Sequence, residues 1–367
     1  KMSKLRVAII FGGKSTEHQV SLQSAKNIIN ELDRTKFDLC LIGINEQGQW
    51  HEYAEDNYLI NSDNPSTISL SQPLRPVAII PGSTRQQFIS LTDGQPLAQI
   101  DVVFPIVHGA YGEDGTLQGL LHMIDMPYVG PNIMSSAACM DKDITKRLLD
   151  DAGLAVAPFI TLMAHQLNDI SYNEVVEQLG LPLFIKPANL GSSVGISKVN
   201  NEAEFNAALS MAFEYDLKVI IESAIVGREI ECAVLGNEEP EVSPCGEIVL
   251  NDAFYAYNTK YIDDDGAKVV VPADLDNAIS LHIRQTALKA YQVLNCLGMS
   301  RVDVFLTEDN QVIINEINTL PGFTNISMYP KLWQSTGLDY QSLITKLIEL
   351  ALEHHKKTAV LKTKCEL

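Results

Sequence analysis

Residues 5–11 form an unbroken apolar, β-branched run that stops at Gly12-Gly13. That is the pattern of a strand buried on both faces of a parallel sheet. Ala25, Ile28, Ile29 and Leu32 then recur at helical spacing, which predicts a helix. A second buried strand is expected over Phe37–Ile44, and a third over residues 101–107, ending at His108-Gly109. Strand–helix–strand order predicts an open α/β sheet, in which ligands bind beyond the carboxyl ends of the strands. Gly12, Gly13, Glu17 and His108 all follow strand ends there. Residues 61–100 are rich in Ser, Pro, Asn and Gln with weak periodicity, so an irregular surface segment is expected.

Further along, the period changes. A helix is expected after Asp141, with Leu148, Leu149 and Ala152 on one side and Gly153 as its stop. Residues 181–187, 194–199 and 218–222 read as short strands between polar or Gly-rich turns, the mark of an antiparallel α+β unit. A third region carries strands over 229–235, 301–306 and 311–318. Its last helix sets Leu343, Ile344, Leu347, Ile348 and Ala351 at helical spacing. The expected organisation is three units: an α/β unit over 1–130, then α+β units over 131–225 and 226–367.

Composition narrows the function classes. At 367 residues and 46% hydrophobic, the chain can bury several cores. A formal charge of −19 repels nucleic acid and anionic lipid at long range, so neither is expected as a partner. The same charge repels ATP, so a phosphate site must supply its own local cations. No run is long and apolar enough for a membrane span, and the first apolar run is too short for a signal peptide. Six cysteines show neither C-x-x-C nor zinc spacing, which suits core thiols in a reducing cytoplasm.

The densest chemistry lies near residue 300. Residues 301–306 and 311–318 alternate apolar and polar around Thr307-Glu308-Asp309-Asn310, so a hairpin is expected. With 307 opposite 310, residue 301 falls opposite 316 and 303 opposite 314. Arg301, Asp303, Glu316 and Asn318 then share one face, and Val302, Val304, Ile313 and Ile317 the other. Asp303 and Glu316 would lie diagonally, with Cβ atoms roughly 7 Å apart. Two carboxylates and an amide suit Mg²⁺, because all three offer oxygen. The plainer alternative is a solvated face with an Arg301–Glu316 salt bridge. Asn318 leads into Thr319-Leu320-Pro321-Gly322-Phe323-Thr324, whose backbone N–H groups could approach an anion.

A second element is Lys186 at a strand end, followed by Gly191-Ser192-Ser193 and Gly195. A cation, two hydroxyls and free N–H groups can cradle phosphate, although an ordinary hairpin turn has the same composition. It is not a Walker A loop. Gly13-Lys14-Ser15 ends like one, but Ala8 stands where its first glycine is required. Nor does Gly12-Gly13-Lys14 fit G-x-G-x-x-G. Lys142 at a helix start and Glu222 at a strand end complete the candidates; each could equally be a surface charge.

Four segments together resemble the ATP-grasp superfamily, and within it the D-alanine–D-alanine ligases. They are residues 11–22, residues 108–115, residues 186–195 and residues 301–327, in the family's order and across nearly the whole chain. The resemblance implies an ATP-grasp fold, with the open parallel α/β unit followed by two α+β units clasping ATP. It implies an ATP-dependent ligase that joins D-alanines for peptidoglycan synthesis, and a homodimer. D-Lactate or D-serine is the alternative acceptor. Asp303, Glu316 and Asn318 match the family's site for two Mg²⁺ ions, with Mn²⁺ also possible. Lys142 and Lys186 match its phosphate lysines, and Lys260 a third. Ser192, Ser193 and Asn315 count among the nucleotide contacts, Glu222 and Ile225 fall at the adenine, and Glu229 at the ribose. Glu17 matches the acid that holds the first ammonium, with Val20 beside it and His108 near its carboxylate. Ser192 and Tyr261 match hydroxyls directed toward Glu17. Arg301 and the Gly322 N–H match oxyanion donors. Ser327 and Met328 fall where the second carboxylate is held, Met328 departing from the expected leucine. A tyrosine at 261 accompanies D-alanine rather than D-lactate as acceptor in the family. Residues 254–266 would be the lid that keeps water from an acyl-phosphate.

Overall fold

The computed structural model describes residues 3–191, 193–250 and 267–365. Its first sheet centres on Leu5–Gly12, which pairs in parallel with Phe37–Ile44 and Val102–Ile106. The apolar run is continuous because both faces are covered. Val7, Ile9 and Phe11 enter one core, and Ala8 and Ile10 enter another. Pro105 sits in the strand at the end of this sheet, where its missing N–H is tolerated.

The segment 61–100 is not irregular throughout. Strands Arg75–Ile79 and Phe88–Ser90 extend the first sheet by successive antiparallel pairings, through Trp50–Tyr53. Ile68, Val77, Phe88, Leu97 and Ile100 are buried there. These strands are five and three residues long, and the first carries Pro76. Such pieces are too short for a period to emerge.

The second sheet is antiparallel, with Lys218–Ser223 between Leu183–Pro187 and Phe159–Met163, and Ser197–Val199 at its edge. The helix Glu202–Ala212 covers it with Phe205, Ala208, Leu209 and Ala212. In the third sheet, Arg228–Leu235 lies between Gly246–Leu250 and Met299–Leu306, and Val312–Asn318 pairs beyond. Helix Asn277–Val293 covers one face, packing Ile283, Ala287 and Ala290 on Ile230, Cys232, Val302 and Val304. The other face is left for the site.

The C-terminal helix Tyr340–Ala359 sends Leu343, Ile344, Leu347 and Ile348 into the core that holds Val7, Ile9 and Phe104. That core also takes in Ala233 and Met299 of the third sheet, so the first and third sheets share it. Among the described residues no helix is long and apolar enough to cross a membrane.

Candidate active site

Two one-residue departures from the expected hairpin shape the site. The turn is longer: Thr307 N–H donates to the Gln311 carbonyl at 3.0 Å, and Asn310 takes the left-handed φ of 61°. Leu306 therefore faces Val312, and Val304 faces Ile314. A bulge at Asn315 then adds a second shift, so that Asp303 faces Glu316 directly and Arg301 faces Asn318. The expected diagonal pair is a direct one. Ile314, rather than Ile313, joins the core. The bulge returns Glu316 and Asn318 to the face of Arg301 and Asp303.

The neighbouring strand adds another acid. Glu231 pairs with Asp303 in register and is 4% exposed, so Glu231, Asp303 and Glu316 form a row across three strands. Arg301, 3% exposed, neutralises part of this charge. Its Nε donates to Asp303 Oδ1 at 2.8 Å and its Nη2 to Asp303 Oδ2 at 2.7 Å, while Glu231 Oε1 lies 3.0 Å from Nε. The salt bridge weighed from sequence, Arg301 to Glu316, is thus replaced by Arg301 to Asp303 and Glu231. Asn318 Nδ2 donates to Asp303 Oδ2 at 3.2 Å. Among the described residues no three acidic, His or Cys groups already stand together as a metal cage. Asp303 and Glu316, with the carboxamide of Asn318, nevertheless offer oxygen donors from one row, the set that hard divalent cations take.

Opposite this row stand Lys186 of the second sheet and Lys142 of a helix beside it. Lys142, Lys186, Ser193, Glu229, Asp303, Asn315 and Glu316 line one cleft between the second and third sheets. Lys142 starts the helix Lys142–Asp151, capped by Asp141, which accepts from Ile144 N–H at 3.0 Å. Its ammonium donates to the Leu190 carbonyl. Burial, then the nearby Lys186, holds its pKa below the usual lysine range against the pull of Glu316 and Glu222. Glu222 bonds Lys186 and lies 2.8 Å from Lys146 Nζ. Burial alone would raise the Glu222 pKa, yet the two ammonium groups pull it down to about 2. Lys146 was not legible as a site residue. The signal was there: it stands one helical turn after Lys142, on the same helix face. Ile225 is partly exposed. Ser192, Lys260, Tyr261 and the expected lid lie outside the described residues.

The first sheet closes the third side. Glu17, 4% exposed, precedes the helix His18–Glu31, and its carboxylate lies against two glycines. A Cβ on Gly109 would fall 2.7 Å from Glu17 Oε2, and one on Gly191 would fall 3.3 Å from it. Glu113 accepts from Gly109 N–H at 2.6 Å. Burial first, then the charges of Glu17 and Glu316, raises its pKa well above the carboxylate range. Val20 is fully buried in its helix.

His108 has both ring nitrogens occupied. Nδ1 donates to the Leu320 carbonyl at 3.0 Å, which leaves Nε2 to accept from Ser24 Oγ at 2.9 Å. Ser24 Oγ in turn accepts from Phe323 N–H at 3.0 Å. Burial depresses the His108 pKa to about 4, so the imidazole is neutral. It therefore holds the 320–323 loop on which Gly322 sits. Asn27 and Tyr340 hold the Phe323 carbonyl at 2.7 and 2.8 Å. Ser24 and Asn27 escaped sequence reasoning because they sit among the core positions of their helix. Ser327 is buried, and its Oγ accepts from Thr324 N–H at 2.9 Å. The Met328 side chain packs in the core beside Gly246, so only its backbone is available to a ligand.

Comparison with known proteins decides the family. The models described as D-ala D-ala ligase N-terminus and C-terminus match residues 6–131 and 148–349. The chain belongs to the D-alanine–D-alanine ligase family. It is 61% identical over 362 residues to D-alanine–D-alanine ligase A of Escherichia coli strain K12, covering 99% of this chain and 100% of that protein. It is 57% identical over 365 residues to the Chromobacterium violaceum ligase A, covering all of both chains. The solved D-alanine-D-alanine ligase of Coxiella burnetii superposes with a TM-score of 0.83 at 39% identity, covering 97% of this chain and 96% of that one. The VanG D-Ala:D-Ser ligase of Enterococcus faecalis superposes with a TM-score of 0.81 at 37% identity, covering 95% and 100%. As a member of this family the protein is an ATP-dependent ligase of ATP-grasp architecture.

Proposed function

We propose that this ligase condenses two D-alanines to D-alanyl-D-alanine through a D-alanyl phosphate, supplying a peptidoglycan precursor. The observation that carries the reading is the acid row of Asp303 and Glu316, with Asn318 and Arg301, facing Lys142 and Lys186 across one cleft. Glu17 holds the ammonium of the first D-alanine, beside Val20 and under the 108–115 segment. The carboxylate of that D-alanine attacks the γ-phosphoryl group of ATP, and ADP leaves. Lys142, Lys186 and Lys260 neutralise the transferred group, and Ser192 and Ser193 donate to phosphate oxygens. Glu222 and Ile225 contact adenine, Glu229 the ribose, and Asn315 borders the phosphates. Asp303, Glu316 and Asn318 would hold two Mg²⁺ ions, or Mn²⁺, which screen phosphate charge when bound. The amine of the second D-alanine, its carboxylate held by Ser327 and the Met328 backbone, then attacks the acyl carbon and phosphate leaves. Arg301 and the Gly322 N–H hold the oxyanion; each such donor is typically worth about 3 kcal/mol. By family resemblance Tyr261 and Ser192 act with Glu17, and Tyr261 sets the amine acceptor over a hydroxyl one.

We read the three units as 1–130, 131–225 and 226–367, acting as a homodimer in the cytoplasm. The relatives at 57–61% identity over the full chain support D-alanine rather than D-serine or D-lactate as acceptor. ADP release with ATP, Mg²⁺ and a panel of D- and L-amino acids, D-serine and D-lactate tests this. Turnover should require D-alanine and yield one dipeptide per ADP. Equal turnover with L-alanine, or a depsipeptide as the main product with both acceptors present, would overturn it.

A further inference from the structure

Glu231 belongs to the acid row but matches none of the roles above. It lies on the site face of Arg228–Leu235, directly opposite Asp303, and is almost fully buried. Its only charged neighbour at ion-pair distance among the described residues is Arg301, with Nε 3.0 Å from Glu231 Oε1. The same Nε donates to Asp303 Oδ1 at 2.8 Å, and Nη2 donates to Asp303 Oδ2 at 2.7 Å. Both oxygens of Asp303 are therefore engaged by the arginine, and Oδ2 also accepts from Asn318.

This sharing has a consequence for the reaction. A divalent cation that takes an oxygen of Asp303 competes with the guanidinium for it. Arg301 would swing with Asp303 unless a second anion held it. We propose that Glu231 is that anion: a positioning residue that keeps Arg301 in place while Asp303 turns to the metal. Its carboxylate fixes the Nε edge of the guanidinium. Displacement of an oxyanion donor lowers turnover without touching nucleotide binding. The role rests on the assignment of Arg301 as oxyanion donor in the ligase reading. It differs from a third metal ligand, which an acid in this row could also be, and the two make opposite predictions for metal affinity.

The test compares Glu231→Gln, which keeps an acceptor for Nε, with Glu231→Ala, which removes it. Steady-state kinetics with D-alanine are paired with electron paramagnetic resonance titration of Mn²⁺ into the enzyme holding ADP. Glu231→Ala should lose about 30-fold in kcat. Glu231→Gln should lose less than about threefold, and in both the KM for ATP and the Mn²⁺ affinity should stay within about twofold. Should circular dichroism show Glu231→Ala unfolded, Glu231→Met fills the same space without an acceptor and carries the same expectation. A folded Ala or Met variant with wild-type kcat would overturn the proposal. So would Mn²⁺ affinity that falls in step with kcat in both variants, since that marks a ligand. Wild-type enzyme inactive on D-alanine would instead count against the ligase reading, and is seen in the same experiment.

Discussion

Glu17 is pressed against Gly109, where a Cβ would fall 2.7 Å from its carboxylate, and Gly191 lies close by. Gly109 also has a φ of 80°, which an L-residue adopts at a cost. Gly109→Ala should therefore displace the carboxylate, raising the KM for D-alanine more than about tenfold while that for ATP changes little. Separate saturation curves for the two substrates check this. His108 and Glu222 both make the fold weaker as pH falls, in different windows. The His108 pKa is depressed to about 4, so between pH 6.5 and 4 the unfolded chain binds a proton the folded one refuses. Stability falls as pH drops through that window, by about 3 kcal/mol in all. The Glu222 pKa is depressed to about 2, so its ionised form stabilises the fold above the ordinary carboxylate range. That contribution, again about 3 kcal/mol, is lost as pH falls from about 4.5 toward 2. Thermal melts from pH 7.5 to 5 should show a decline in wild type. Replacing His108 by Gln should lower stability at pH 7.5 but flatten the decline; an equal slope in both would contradict the assignment.

The hairpin Met299–Leu306 and Val312–Asn318 works only because of Asn315. Deleting that residue would shift Glu316 and Asn318 to the core face and bring Ile317 into the cleft. Such a protein should lose Mn²⁺ binding and at least about 100-fold in turnover, while a conservative Asn315→Ser keeps both within about tenfold. A metal titration on the two proteins separates register from side-chain chemistry. The same element shows where sequence reasoning stops. Alternation revealed the shared face of Arg301, Asp303, Glu316 and Asn318, since period two survives any even shift. It could not reveal the direct Asp303–Glu316 pairing. A longer turn and a bulge each add one residue, and neither leaves a mark in hydrophobic pattern. Asn310, in the left-handed region, was the one local hint of the longer turn. Strands buried on both faces, such as Leu5–Gly12, were legible from their unbroken apolar run. The strands at 75–79 and 88–90 were not, because short edge strands with Pro76 look like loop. Glu231 and Lys146 were missed for a different reason: each is a lone charge in a regular element, and only tertiary packing shows that it is buried against a partner.

At the scale of the whole molecule, three sheets meet at one cleft, and each supplies a different chemical need. The first offers Glu17 and the helix that anchors the 320–323 loop, the second offers Lys186 with Lys142 on the helix beside it, and the third offers the acid row. The chain carries a charge of −19, yet Lys142, Lys146, Lys186 and Arg301 all gather here, which gives an anionic nucleotide a local sink in a repelling field. Glu316→Gln should reduce turnover by about 100-fold or more and raise the Mg²⁺ concentration needed for half-maximal rate. Tyr261→Phe should raise D-lactate incorporation at the expense of dipeptide when both acceptors compete. In the proposed reaction the carboxylate of one D-alanine is activated as an acyl-phosphate within this cleft. D-Alanine labelled with ¹⁸O in its carboxylate tests it directly, by mass spectrometry of the inorganic phosphate released. One labelled oxygen should pass into phosphate for each dipeptide formed. Phosphate free of label, or label recovered in AMP, would contradict it.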